Sequence, residues 1–297
     1  MSRQPGRGRV SYKVALLVIH GIGSQKPGYS GRFCEKMTRR LVKTHGLAEK
    51  DFKWGEVFWA DILTARQEKF FEEMDDANPV DWLWLRKFLL TTFADAAAYH
   101  RVPGDPSSTY FKIHKRIKDA LYALDNGKET LLIPFAHSLG GHILTNYIYD
   151  VRKWTTIKKA HMTRPGDAEV KRKVCVKVDS DFMRLKTLAG IVTFGCNIPL
   201  FTFALDEPKP VDFRGENLTP AQAKAAAWLN YYDRDDVLGY PLRPISPAFA
   251  KGVTRDIEIN AGNLLTSWNP LSHNGYWTDA SFTKRAAAYV AGMAKAD

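Results

Sequence analysis

Only three cysteines occur in the 297 residues, Cys34, Cys175 and Cys196, and no two of them form a C-x-x-C pair. That excludes a zinc ribbon and a disulfide-stapled scaffold, and it fits a reducing, cytoplasmic setting. Apolar runs long enough to span a bilayer are also missing, and the earliest run, Val14 to Ile19, is too short for a signal-peptide core with a cleavage site. Two nucleotide signatures are incomplete. In Gly21-Ile22-Gly23-Ser24-Gln25-Lys26 a lysine holds the third glycine position of G-x-G-x-x-G, and no G-K-[ST] occurs. Phosphate cradling at this loop is therefore not expected. Acidic residues are outnumbered, 32 against 43 Lys plus Arg, which leaves a net charge of +11. Such an excess draws a protein toward anionic lipid, acidic substrates or polyanions.

The remaining composition is that of a folded globular chain, 45% hydrophobic and 25% charged, with an aromatic share of 12% that favours a large core or an apolar pocket. Continuous apolar runs at Val14–Ile19, Thr130–Phe135, Leu188–Phe194 and Trp228–Tyr232 have strand length and lack alternation. Strands of this kind are covered on both faces, as in a parallel sheet. Two further strands are expected at Phe52–Trp59 and Thr254–Asn260, and a short hairpin strand at Val174–Val178, where apolar and polar residues alternate. Helical spacing is seen at Gly31–His45, with Phe33, Met37, Leu41 and Val42 on one face, and at Ser108–Leu124, His142–Tyr149 and Ala280–Ala294. Strands alternating with helices make a single α/β domain over residues 1–297 with a mainly parallel sheet. Residues 60–125 form a helical, cap-like insertion and residues 152–187 a basic one.

Ala136-His137-Ser138-Leu139-Gly140-Gly141 lies between an expected strand and an expected helix. A small-residue turn with a central serine in that context strains the serine backbone and exposes its hydroxyl, as in G-x-S-x-G, with Ala136 in the first glycine position. A serine hydroxyl needs a base to take its proton, and the base needs a carboxylate to hold its tautomer. Downstream of His161 the one histidine is His273, in an expected loop between the last strand and the last helix. Asp233, Asp235 and Asp236 follow the strand at 228–232 and are the candidate acids, with Asp233 also able to bind Arg234 or a turn amide. Donors for an oxyanion are expected from the N–H of Leu139, next to the serine, and of Ile22, in the glycine loop after the first strand. His20 is expected to brace that loop.

With these residues in this order the chain resembles the α/β-hydrolase family, in particular lipase- and esterase-like serine hydrolases, including bacterial ones of undefined substrate. The resemblance runs from about Val14 onward and implies an α/β-hydrolase fold whose first two strands are absent. It points to Asp235, through Asp235-x-Val237, as the acid of a Ser138–Asp235–His273 triad, with Asp236 as the alternative. It implies an acyl-enzyme route on carboxylic esters with no metal or cofactor. A thioesterase or amidase with the same triad, or a silent scaffold that binds anionic surfaces or partners, are the competing readings. The stretch Trp82-Leu83-Trp84-Leu85, followed by Phe88, Leu89, Leu90 and Phe93, is apolar over more than one helical face. From it, Trp82, Trp84 and Phe88 are expected to line an acyl pocket for a small or lipid ester. The basic insertion offers contact with an anionic membrane surface. Nucleic acid is not expected there, since Trp154 alone could stack a base.

Overall fold

The computed structural model describes residues 11–296, apart from Ser24, residues 78–82, residues 101–104, Pro106, Lys128, Ala204 and residues 262–269. Its elements, in chain order, are β1 (Val14–Ile19), α1 (Gly31–Lys43), β2 (Phe52–Val57), α2 (Asp61–Ala77), α3 (Leu83–Ala98), α4 (Thr109–Leu124), β3 (Leu131–His137), α5 (Leu139–Thr156), α6 (Asp167–Cys175), β4 (Gly190–Phe194), α7 (Pro220–Ala225), β5 (Ala227–Tyr232), α8 (Pro247–Gly252), β6 (Arg255–Glu258) and α9 (Ala280–Ala294). A 3₁₀ segment, Pro270–Thr278, precedes α9.

The strands form one six-stranded sheet in the order β2-β1-β3-β4-β5-β6. Every neighbouring pair is parallel. All residues of β1, β3 and β4 are buried, which is why these strands read as unbroken apolar runs. Side chains alternate between two cores. Ala15, Leu17 and Ile19 meet Ile113 and Ile117 of α4 and Ile143 and Tyr147 of α5 on one face. Val14, Leu16 and Val18 meet Phe33, Met37 and Leu41 of α1 and Phe282, Ala286 and Val290 of α9 on the other. Residues of α1 at a spacing of four make this stripe. Phe33 packs its ring against Phe135, Phe194, Trp277 and Phe282, and truncating such a residue to alanine costs about 3–5 kcal/mol.

Pro134 sits inside a central strand, where a missing donor is normally excluded. The N–H of Leu131 points toward β1, donating to Lys13 O, while that of Leu132 points to the other side, to Thr187 O. Pro134, of the same parity as Leu132, faces that second side just before pairing with β4 begins at Phe135.

Two expectations are corrected. Val174 and Cys175 belong to α6 rather than to a hairpin strand. The alternation there places Val170 and Val174, one turn apart, against the core. Residues 60–125 are not all cap: α4 buries Phe111, Ile113, Ile117 and Leu121 in the sheet-covering core. Among the described residues no helix is long and apolar enough to cross a membrane.

Candidate active site

The parallel strands bring their carboxyl ends to one edge of the sheet, where loops converge. β3 delivers Ser138 into the turn before α5 with φ +53° and ψ −127°. Positive φ is costly for a residue with a Cβ and persists only where its surroundings hold it. Here the Ser138 N–H donates to Phe194 O on β4 and its carbonyl accepts from Gly141 N–H, both at 3.0 Å. The loop after β1 presses against it: a Cβ on Gly21 would lie 2.4 Å from the Ser138 Cβ. Ser138 is fully buried by neighbouring protein, and among the described residues its hydroxyl has no hydrogen-bond partner.

His20 braces the glycine loop, as expected from its place in the sequence. It is fully buried and stacks on Trp59, with ring centroids 4.7 Å apart and planes 10° apart. Its Nδ1–H donates to Gly21 O at 2.7 Å, and its Nε2 accepts from Trp59 N–H at 3.1 Å. The Trp59 indole donates back to His20 O at 3.1 Å. One nitrogen donates and the other accepts, so the ring is neutral. Burial pushes its pKa down to about 4, against the opposing pull of the Gly21 carbonyl.

His273 lies in the 3₁₀ segment, not in an irregular loop, and is buried. Its Nδ1–H reaches both carboxylate oxygens of Asp236, at 3.0 and 2.8 Å. Asp236 therefore takes the place expected of Asp235. The reason lies in the turn after β5. Asp233 Oδ1 accepts from Asp235 N–H at 2.9 Å, its Oδ2 accepts from Ala261 N–H at 2.6 Å, and its carbonyl accepts from Asp236 N–H at 3.2 Å. A carboxylate that binds the amide two residues on closes a tight turn. Asp235 is thereby exposed at the crest and Asp236 turned inward. Val237, which singled out Asp235 in the sequence, is 61% exposed. Arg234 pairs with Glu258 at 2.8 Å.

Asp236 also accepts from Leu238 N–H at 3.0 Å and from the Tyr276 hydroxyl at 2.9 Å. Burial works against its charge. The His273 hydrogen bond, the ring's electrostatic attraction when protonated and these two donors outweigh burial and hold the carboxyl below the ordinary carboxylate range. Tyr276 and His137 are site residues that the sequence reading passed over. Tyr276 is three residues after His273, and in a 3₁₀ helix positions i and i+3 eclipse, so both reach the same carboxylate. Its hydroxyl also accepts from Asp233 N–H at 2.8 Å. His137 donates from Nε2 to the His273 carbonyl at 2.8 Å, and its ring lies 4.6 Å from that of His273. Gly195, at φ +54°, closes the back of the pair, since a Cβ there would lie 3.2 Å from His273 Cε1 and 3.3 Å from Asp236 Oδ2.

Ser138 and His273 open onto one cavity of about 560 Å³, within the usual range for small-molecule sites. Its walls include Ile22, Tyr29, Phe33, Leu238 and Trp277, and Arg32 adds a cation. Lys87 and Thr91, one turn apart on α3, also line it. The helical insertion thus faces this cavity. Of the residues expected to bind an acyl chain, Trp82 lies outside the described residues, as do the side chains of Trp84 and Phe88. Leu139 opens α5, where the N–H groups have no acceptor within the helix, and the partial positive end of the helix dipole sits beside Ser138. No group of His, Cys, Asp and Glu that could hold a metal is found among the described residues. Comparison with known proteins finds no family model, no curated protein and no solved structure that matches the chain.

Proposed function

We propose that this protein is a serine hydrolase of the α/β-hydrolase type, acting on carboxylic esters through a Ser138–His273–Asp236 relay. The observation that carries the reading is the Asp236–His273 pair, made across 37 residues of sequence and open to the same cavity as a serine held at positive φ. The all-parallel sheet and the chain order Ser, Asp, His support the same family. Asp236 fixes the imidazole with its proton on Nδ1, which leaves the Nε2 lone pair to act as base. When ester binds, Nε2 takes the Ser138 proton as Oγ attacks the carbonyl. The hydrogen bond between them forms in that complex, as catalytic contacts commonly tighten only with substrate present.

The carbonyl oxygen becomes an oxyanion that accepts from the N–H groups of Leu139 and Ile22. Collapse of this intermediate expels the alcohol, which takes its proton from Nε2 and leaves an acyl-serine. Water, deprotonated by the same nitrogen, then attacks the acyl carbonyl, and the carboxylic acid product leaves as that proton passes to Ser138 Oγ, the acid then losing its own proton to solvent. The aromatic and aliphatic walls suit an apolar acyl or alcohol group. A fluorophosphonate probe, which reacts with an activated serine, tests the proposal. Wild type labels covalently, Ser138→Ala does not, and His273→Ala labels far more slowly. Undiminished labelling of folded Ser138→Ala places the nucleophile elsewhere.

A further inference from the structure

A second cavity, of about 500 Å³, lies between α4, α5 and α6. Among the described residues it shares no lining side chain with the first. Tyr147, on its wall, is nine residues beyond Ser138, about 13 Å along the axis of α5 at the helical rise. The interior is mainly apolar, with His114 of α4 as a buried polar lining residue. Phe111 of α4, Tyr147 of α5 and Val174 of α6 line it and are buried, while Val176 stands at the wall 53% exposed. The rim is cationic. Lys112, Lys115 and Lys118 from α4 and Lys173 and Lys177 from the basic insertion all line the same space, with Asp119 as the one acidic group. Asp119 is engaged by Lys115 at 2.5 Å.

The cationic rim around an apolar hollow points to an anionic ligand. Lys118 is 9% exposed, and its ammonium donates to the Lys173 carbonyl at 2.7 Å. Burial pulls its pKa down. Asp119 opposes this, and Lys115 and Lys177 add to the fall. An anion placed among these lysines relieves their mutual repulsion and lets the Lys118 ammonium keep its charge.

We propose that this cavity binds a single aliphatic chain ending in a carboxylate, a fatty acid anion, with the chain against Phe111, Tyr147 and Val174 and the head among Lys118, Lys173 and Lys177. The inference does not depend on the hydrolase reading, because no residue of the relay takes part. It explains a feature that the first site leaves unused: the clustering of lysines around an apolar hollow.

The test is calorimetric titration of the wild-type chain with octanoate, decanoate and dodecanoate below their micelle concentrations, beside dodecanol. One saturable site is expected. Binding should tighten about fourfold per added methylene, and dodecanol should bind at least tenfold more weakly than dodecanoate. Lys118→Gln/Lys173→Gln should weaken dodecanoate at least tenfold, and Val174→Trp, which fills the hollow, should abolish binding. The exposed pair Lys112→Gln/Lys115→Gln keeps the test informative should the buried variants unfold, and it should weaken dodecanoate but not dodecanol. Absence of saturable binding, equal affinity for the alcohol, or affinity indifferent to these substitutions, as when the chain sits in the first cavity, overturns the proposal.

Discussion

Replacing Asp236 by Asn should silence the proposed relay while leaving the fold in place. The carboxylate accepts on Oδ1 from Leu238 N–H and on Oδ2 from the Tyr276 hydroxyl, with the His273 Nδ1–H between them. Leu238 can only donate, so the amide oxygen of Asn must stay at the Oδ1 position. The amide nitrogen then takes the Oδ2 position, beside a hydroxyl that can turn to accept. That nitrogen donates to Nδ1 and forces the imidazole proton onto Nε2, the atom that must take the serine proton. With a comparable exchange in a serine triad as guide, the loss in kcat is about 10³- to 10⁴-fold, equivalent to about 4–5.5 kcal/mol of barrier. Asp235→Asn, on an exposed side chain, should change stability by less than about 0.5 kcal/mol and leave the rate near wild type. Initial rates on p-nitrophenyl butyrate, with thermal unfolding to confirm the fold, make the comparison. If folded Asp236→Asn keeps a rate within threefold of wild type, or if Asp235→Asn is the variant that fails, the relay described here is wrong.

Further outcomes can be measured on the same preparations. Tyr276→Phe removes a donor to Asp236 and strands the Asp233 N–H, which should lower stability in urea by about 1–3 kcal/mol and slow ester turnover; unchanged values for both refute the role given to this hydroxyl. Gly21→Ala places a methyl 2.4 Å from the Ser138 Cβ and should cost about 1–3 kcal/mol together with most fluorophosphonate labelling, so normal labelling would show that the loop does not abut the nucleophile. His20 has a folded pKa of about 4, below the ordinary value, so the unfolded chain binds the extra proton. Its contribution is complete above roughly pH 6.5, the unfolded value, and is lost as pH falls toward 4. Between pH 7 and 5 this one ring should account for about 2 kcal/mol, and His20→Gln should flatten the fall in denaturation free energy by that amount; an unaltered slope would show that His20 is not buried neutral.

Much of the sheet was legible because β1, β3, β4 and β5 are covered on both faces and therefore consist of apolar runs. The elbow was legible because a strand, a serine among small residues and a helix are adjacent in sequence. His273 was found by elimination. The acid was not legible. Asp233, Asp235 and Asp236 share one turn, and which of them faces inward depends on Asp233 binding the amides of Asp235 and Ala261, the latter 28 residues away. The resemblance to α/β-hydrolases favoured Asp235, with Val237 two positions on, and that valine is 61% exposed. Tyr276 was missed because its spacing from His273 carries meaning only in a 3₁₀ helix. The strand expected at Val174–Val178 failed because alternation over a few residues is also what one face of a short helix shows when it emerges into a turn.

Among the described residues, the stretch from Val57 to Leu131 contributes Lys87 and Thr91 to the first cavity and no side chain to the proposed proton relay. Its two ends are anchored in β2 and β3, on either side of β1. The entropy of closing a loop between fixed ends grows only with the logarithm of its length. The part before α4 can thus be lengthened or shortened at small entropic cost while α4 keeps its place on the sheet and Ser138, Asp236 and His273 stay where the sheet holds them. Under the proposed function, the part of the cavity wall carried by α3 can thus change without disturbing the relay, while Ile22, Tyr29, Phe33, Leu238 and Trp277 form the wall that the rest of the chain supplies.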